Sequence, residues 1–248
     1  MKQFGLIGFP LGHSFSKKYF TEKFEWESID ARYDLYALKT MAEFSALIQN
    51  PDLWGLNVTI PYKEQVIAYL DELDETAAQI GAVNVIKFIR SQGKLTLKGY
   101  NTDAIGFENS LKPRLQPFHR KALILGTGGA SKAIDYTLRK LGIETTFVSR
   151  TAKPGMLTYA QLTPEIMVDH LIIVNASPVG TFPHADECPD IPYPSITPKH
   201  LLFDVVYNPA ETLFLKKGKE QGAQGLNGES MLMGQADAAW GIWNSSTP

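Results

Sequence analysis

Residues 121–133 read Lys121-Ala122-Leu123-Ile124-Leu125-Gly126-Thr127-Gly128-Gly129-Ala130-Ser131-Lys132-Ala133, and this stretch decides the fold. Lys121 to Leu125 is a short apolar run of the kind that forms a strand buried on both faces. A glycine turn follows, then a helical pattern from Ser131 to Leu141 with Gly142 at its C′ position. The turn has the form Gly-x-Gly-Gly-Ala-x-x-Ala. Gly126 permits the tight bend, Gly128 and Gly129 let the backbone approach a pyrophosphate, and Ala133 is small where the helix packs on its strand. The helix N-terminus adds N–H donors and a dipole that favours anionic oxygens. Thr145 to Ser149 is the next strand, so the strand-turn-helix-strand context that gives the motif meaning is complete. A purely structural turn is the competing reading, but three glycines in four positions are costly for structure alone.

The tip of that second strand selects the dinucleotide. An NAD site places Asp or Glu there for the ribose 2′-hydroxyl. This chain has Ser149-Arg150-Thr151, with no carboxylate and an arginine fork suited to a phosphate. NADP is therefore the expected cofactor.

Further along, Leu171 to Val174 and Leu201 to Val206 are two more strands of the doubly covered, parallel type. The proline-rich stretch 183–198 is a loop. Thr212 to Gln221 is a helix ended by Gly222, and Glu229 to Trp243 is the last helix. Before Asp103 the pattern also alternates. Phe4 to Gly8, Tyr33 to Leu38 and Leu56 to Ile60 read as strands. Ser14 to Phe24 (capped by Ser14 or Ser16), Thr40 to Gln49, Lys63 to Leu70 and Asp71 to Ile80 read as helices. Asn84 to Ile89 and Lys94 to Lys98 flank Ser91-Gln92-Gly93 as a hairpin. The fold class is α/β, with a mainly parallel sheet and an antiparallel edge in the first part.

Composition narrows the function. The chain has 248 residues, 44% hydrophobic and 20% charged, with 24 basic and 26 acidic side chains and a net charge of -2. That balance argues against a general nucleic-acid binder or a polybasic membrane anchor. No apolar run approaches the ~18 residues of a membrane helix. The first residues are broken by Gly5, Gly8, Pro10 and Gly12 and do not read as a signal peptide, so a cytoplasmic location is expected. The single Cys188 excludes a disulfide within the chain. The five histidines are scattered and not at ligand spacing, so no metal is expected.

Polar clusters sit beside strand ends or glycine turns: His13 to Ser16, Asn57 to Lys63, Gly81 to Asn84, Gly99 to Asp103, and Gln235 on the last helix. In open α/β sheets ligands bind beyond the carboxyl ends of strands. Hydroxyls, amides, one lysine and one aspartate suit a small polyhydroxylated acid. Singly, each has a structural explanation as a cap, a turn residue or a solvated helix start.

In order, Gly8-Phe9-Pro10-Leu11-Gly12-His13-Ser14-Phe15-Ser16, Leu56-Asn57-Val58-Thr59-Ile60-Pro61-Tyr62-Lys63, Ile80 to Asn84 and Gly99 to Asp103 resemble the shikimate dehydrogenase family. So do Gly126 to Ala130, Ser149 to Thr151, Asn175-Ala176-Ser177-Pro178-Val179-Gly180, Tyr207-Asn208-Pro209 and Met231-Leu232 with Gln235. The resemblance spans nearly the whole chain. It implies two lobes. An N-terminal α/β substrate domain, 1–102, is completed by the C-terminal helix 229–248, and a Rossmann-type NADP-binding domain spans 103–228.

The same resemblance implies reversible NADPH-dependent reduction of 3-dehydroshikimate to shikimate, on the route to chorismate and the aromatic amino acids. Ser14 and Ser16 match the carboxylate-binding pair, and Thr59, Asn84, Asp103 and Gln235 the residues that bind ring hydroxyls. Tyr207 matches a tyrosine near the substrate. Lys63 matches the catalytic acid/base and Asp103 its partner. Gly126, Thr127, Gly128, Gly129 and Ala130 match the pyrophosphate turn, Ser149, Arg150 and Thr151 the adenosine-phosphate clamp, and Val205 and Gly228 the nicotinamide side. A small-molecule substrate and a monomer or homodimer are implied.

Three segments depart from the family pattern. Lys17-Lys18-Tyr19-Phe20 stands where a proline and then a His-Asn pair are usual, Ser149 replaces the usual asparagine, and Glu229-Ser230 replaces Leu-Gly. The alternatives are a quinate/shikimate dehydrogenase that uses NAD, a non-catalytic dinucleotide sensor, and a folate-linked dehydrogenase. Arg150 argues against the first, Lys63 with Asp103 against the second, and the paired serines against the third.

Overall fold

The structure is a computed structural model describing residues 1–12 and 14–245. His13, a member of the first polar cluster, lies outside the described residues. The chain divides into two compact α/β units. One is Met1–Thr102 together with the chain from Gln235 onward, and the other is Asp103–Gly234.

The first unit is built on six strands, β1 (Lys2–Gly8), β2 (Ala31–Ala37), β3 (Leu53–Val58), β4 (Glu72–Leu73), β5 (Val85–Ser91) and β6 (Lys94–Tyr100), in the order β2-β1-β3-β5-β6-β4. Its helices are α1 (Phe15–Trp26), α2 (Phe44–Leu47) and α3 (Glu75–Ile80). Strand β5 alone runs antiparallel to its neighbours. The hairpin β5–β6 turns through Gln92 and Gly93, at φ 51 and 78, the left-handed pair that a two-residue hairpin requires. The hairpin does not form the sheet edge, as the sequence pattern suggested, because β4 adds a parallel pair outside β6.

Alternation along β1 assigns the two faces. Phe4 and Leu6 join Phe20, Phe24, Tyr33, Ala236, Ala239 and Trp243 on one side. Ile7 joins Phe44, Leu56, Val58, Tyr62, Val66 and Ile86 on the other. The first face is covered by α1 and by the last helix of the chain, α8 (Glu229–Asn244). Trp243 lies across β3 where Gly55 has no side chain, and its Nε1–H donates to the Ile86 carbonyl at 3.0 Å.

Helical elements on the opposite face are shorter than their periodicity suggests. Lys63 to Leu70 forms only a 3-10 turn, Gln65–Tyr69, and Thr40 to Gln49 forms a 3-10 turn, Met41–Glu43, followed by α2. Asp71 to Ile80 is interrupted because pairing with β6 wins locally. The Leu97 N–H donates to the Asp71 carboxylate at 2.7 Å, and the Asp71 N–H donates to the Leu97 carbonyl at 3.0 Å. The helix restarts at Asp74, whose side chain accepts the Ala77 N–H at 3.0 Å, and it ends at Gly81 with φ 68.

The second unit holds α4 (Asp103–Leu111), β7 (Lys121–Leu125), α5 (Gly129–Lys140), β8 (Glu144–Ser149), β9 (Leu157–Thr158), α6 (Pro164–Asp169), β10 (Ile172–Asn175), β11 (Leu201–Asp204), α7 (Leu213–Glu220) and β12 (Gln224–Leu226). The strand order is β12-β11-β10-β7-β8-β9, all parallel. This is the doubly wound dinucleotide-binding order, with its switch point between β7 and β10. Ala122 and Ile124 face α4, α5 and Met231, while Leu123 and Leu125 face Met167, Phe214 and Leu215.

Three elements escaped the sequence pattern: β9, β12 and α6. The last carried a readable start, with Thr163 capping and Pro164 in the first turn. The division between the units falls inside α8, after Gly234. Asn227 accepts the Glu229 N–H at 3.3 Å, and Ser230 donates to the Ser110 hydroxyl at 2.9 Å. The Glu229-Ser230 departure thus leaves the helix start intact.

Trp243→Ala removes a buried indole and its hydrogen bond to β5. It should lower stability by about 3–5 kcal/mol. Chemical denaturation followed by tyrosine and tryptophan fluorescence measures this, and a loss under about 1 kcal/mol would contradict the packing described.

Candidate active site

In each sheet the polar residues gather at one end. Parallel β1, β3 and β6 bring their carboxyl ends, and antiparallel β5 its amino end, to the same side of the first unit. That is the end where ligands of such sheets bind.

A hydrogen-bonded chain crosses this end. Ser16 lies beside the phenol of Tyr33, where the chain begins. Tyr33 donates to Asn57 Oδ1 at 2.7 Å, and Asn57 Nδ2 donates to the Asn84 carbonyl at 3.4 Å. The Asn84 side chain donates to Thr102 Oγ1 at 3.0 Å and accepts the Thr102 N–H at 2.7 Å. Tyr33, Asn57, Asn84 and Thr102 are all buried. Burial pushes the Tyr33 phenol well above its ordinary value, with the neighbouring Ser16 opposing, so it stays a neutral donor. Each link satisfies a group whose burial would otherwise be costly.

Thr59 and Lys63 lie on the segment leaving β3. The Tyr62 N–H donates to the Thr59 carbonyl at 2.9 Å, the Val83 N–H donates to the Lys63 carbonyl at 2.7 Å, and the buried Tyr62 hydroxyl donates to the Leu38 carbonyl at 2.6 Å. Both residues are partly exposed on a backbone pinned on three sides. Ser14 caps α1, accepting the Lys17 N–H at 3.3 Å. The start of the helix therefore survives without the usual proline. Gln235 lies on α8 and is buried in the first unit. Asp103 opens α4 and Tyr207 follows β11, so these two candidates belong to the second unit.

In the second unit the turn after β7 fits a dinucleotide. Gly126 has φ 119, and a Cβ there would press on the Ala176 backbone at 3.1 Å. Beside Gly128 a Cβ would meet nothing within 4 Å, which leaves room for phosphate oxygens. Gly129 and Ala130 form the first turn of α5, and Ser131 donates to the Gly128 carbonyl at 2.6 Å. At the end of β8 the Thr151 N–H donates to the Ser149 hydroxyl at 3.3 Å, so serine shapes this turn in place of the usual amide. Arg150 is exposed at the tip, close enough to Tyr159 to oppose the upward push of burial on that phenol. A second cation, which the sequence reading missed, joins it: Lys153 Nζ is 3.5 Å from Thr127 Oγ1. Lys153 at the pyrophosphate turn and Arg150 at the tip of β8, without a carboxylate at Ser149, suit a 2′-phosphate.

Val205 and Gly228 meet at the end of β11. A Cβ on Gly228 would run into the Val205 carbonyl, so only glycine lets the chain pass there. Beneath them Asp204 is fully buried, and burial lifts its carboxyl to about 6, against hydrogen bonds from Thr212, Val206 and Asn175. Among the described residues no group of three His, Cys, Asp or Glu side chains could hold a metal ion, and no helix is long and apolar enough to cross a membrane.

Comparison with known proteins bears directly on these two units. The family profile described as the shikimate dehydrogenase substrate binding domain matches residues 6–86. A shikimate dehydrogenase (NADP(+)) of Desulforamulus reducens is 33% identical over 265 residues, covering 98% of this chain and 90% of the relative. The shikimate dehydrogenase structure from Aquifex aeolicus is 35% identical, with a TM-score of 0.84 over 100% of this chain and 94% of that one. The Thermus thermophilus enzyme, solved in complex with NADP(H) and shikimate, is 30% identical with a TM-score of 0.85, covering 98% and 94%.

The raised Asp204 carboxyl gives a pH prediction. The folded chain holds this proton up to about pH 6, against an ordinary value of 3.8. The folded state thus binds more protons than the unfolded state across that window. The resulting stabilisation is full below the unfolded value and is lost as pH rises through about 6. Between pH 4 and pH 7 the wild-type thermal midpoint should fall relative to that of Asp204→Asn. Parallel midpoint curves for the two proteins would refute the assignment.

Proposed function

This chain belongs to the shikimate dehydrogenase family: it is an NADP-dependent oxidoreductase that interconverts 3-dehydroshikimate and shikimate in aromatic biosynthesis, and we propose that Lys63 is its acid/base, with Asp103 as partner. The same reading makes it a cytoplasmic enzyme, working as a monomer or homodimer on a small-molecule substrate.

Bound NADPH supplies the hydride, and its nicotinamide and phosphates are assigned to the second unit. The protein supplies position, a proton and charge stabilisation. Ser14 and Ser16 bind the substrate carboxylate. Thr59, Asn84, Asp103 and Gln235 read the ring hydroxyls, and Tyr207 adds a phenol at the substrate. As the carbonyl becomes an alkoxide, the Lys63 ammonium stabilises the growing charge and donates the proton to that oxygen. In the oxidative direction neutral Lys63 takes it back. Gly126, Thr127, Gly128, Gly129 and Ala130 receive the pyrophosphate, Ser149, Arg150, Thr151 and Lys153 the adenosine phosphate, and Val205 and Gly228 the nicotinamide side.

The observation that carries this reading is the buried polar chain from Tyr33 to Thr102. It holds Asn84, a candidate hydroxyl reader, by fixed hydrogen bonds at the ligand end of the sheet. A group held this way is in place before the ring arrives, which is what selective binding of a polyhydroxylated ring requires.

Initial rates of reduced-cofactor formation, with shikimate or quinate and NADP+ or NAD+, test the substrate and cofactor together. Fast turnover is expected only with shikimate and NADP+. Comparable kcat/KM with quinate or NAD+ would move the protein to the quinate/shikimate reading. Lys63→Ala should cut kcat by about 100-fold or more with a modest change in KM, and an unchanged kcat would remove Lys63 from the role. Arg150→Leu should raise KM for NADP+ about tenfold, the worth of one charge-assisted bond, and leave the rate with NAD+ unaltered.

A further inference from the structure

Asp204 is a buried carboxylate to which the proposed mechanism gives no work. Its three hydrogen bonds all come from neutral donors: Asn175 Nδ2 at 2.9 Å and the Val206 N–H at 3.0 Å on Oδ1, and the Thr212 hydroxyl at 2.6 Å on Oδ2. A fully buried carboxylate held this way is costly, so the question is what its bonds hold in place.

The two oxygens do different things. Oδ2 ties Asp204 to the cap of α7, since Thr212 also accepts the Leu215 N–H at 3.4 Å. Oδ1 ties together two loops that face the cofactor end of the sheet. On one side Asn175 accepts from Ser177 through the N–H at 3.2 Å and the hydroxyl at 2.6 Å, and donates to the Val179 carbonyl at 3.2 Å. That closes the 175–179 turn, whose Ala176 backbone lies against Gly126. On the other side the Val206 carbonyl accepts the Gly228 N–H at 3.1 Å. One carboxylate oxygen thus sets the spacing between the turn beside Gly126 and the strand end that carries Val205 and Gly228.

We infer that Asp204 is a positioning residue for the nicotinamide half of the cofactor, acting through the 175–179 turn and the Val205–Val206 peptide. The inference rests on the reading of the second unit as the NADP-binding unit. It separates two parts of that site. The groups assigned to the phosphates stand at the ends of β7 and β8, which Asp204 does not touch. The groups it fixes stand at the ends of β10 and β11.

The test uses the full chain and two probes, NADP+ and 2′,5′-ADP, which carries the adenosine phosphates without the nicotinamide. Dissociation constants for both are measured by calorimetry on wild type, Asp204→Ala and Thr212→Val, with thermal midpoints alongside. In Asp204→Ala, which removes the Oδ1 acceptor that an asparagine would keep, the affinity for 2′,5′-ADP should stay within about twofold, while NADP+ binding weakens about fivefold or more, the worth of roughly one hydrogen bond. Thr212→Val removes the bond to Oδ2 and the cap on the Leu215 N–H, and leaves both bonds to Oδ1 in place. It should lower the midpoint and leave the ratio of the two constants at its wild-type value.

An unchanged ratio in Asp204→Ala overturns the inference. So does a Thr212→Val ratio that moves as far, because loss of rigidity would then be the cause. If Asp204→Ala shows no cooperative unfolding, Asn175→Ala removes a donor to the same Oδ1, and its ratio decides by the same criterion. Shikimate turnover by wild type is scored separately. Its absence would remove the substrate reading and leave the ratio to decide this one. A wild-type chain that binds neither probe overturns both.

Discussion

The grip of Asn84 on Thr102 is the interaction on which the first unit's polar end depends. One side-chain amide takes the Thr102 N–H and gives to its hydroxyl. The Asn84 backbone meanwhile joins two strands, its carbonyl accepting the Val58 N–H at 2.8 Å and its N–H donating to the Tyr100 carbonyl at 3.0 Å. A single residue therefore fixes the ends of β3 and β6 and the backbone one position before Asp103. A hydrophobic residue there would leave Thr102 unsatisfied inside the protein, and a lysine could not both donate and accept. Asparagine is the residue type that closes the junction.

The two units reach rigidity by different means. The first relies on side-chain hydrogen bonds threaded through an apolar interior, from Tyr33 to Thr102. The second adds close backbone approach to the hydrogen bonds of Asp204. Gly126 lies against Ala176 and Gly228 against Val205, and at neither place is there room for a side chain. Hydrogen-bonding side chains suit recognition of a ring with several hydroxyls. Bare backbone suits a pyrophosphate, which needs N–H groups brought near.

Most of the architecture was legible because burial on both faces leaves a plain mark. Ala122 to Leu125 is apolar throughout, and the strand that holds it runs from Lys121 to Leu125 as read from the sequence. Gly142 and Gly222 mark helix ends, with φ 77 and 85. Short elements were harder to read. Residues 71–74 carry a helical pattern, yet their hydrogen bonds go to β6 across the sheet, a partner no local window contains. The site divides in the same way. Gly126 to Ala130 and Ser149 to Thr151 announce themselves by composition and spacing. Tyr33 does not, since a tyrosine in an alternating strand looks like core until its hydroxyl is found on Asn57. Lys153 and Asp204 were hidden for a related reason, because their partners Thr127 and Asn175 are 26 and 29 positions away.

The division of α8 after Gly234 has a consequence for how the chain is made. The second unit occupies one uninterrupted stretch and holds all of its strands before the ribosome reaches Gln235. The first unit does not. Phe4, Phe20 and Phe24 are synthesised early, but Trp240 and Trp243, which cover them, come last. A nascent chain must therefore carry an open aromatic face until α8 has been made. Exposed apolar surface of this kind is what draws aggregation and chaperone binding. The unit that begins first is the one that finishes last.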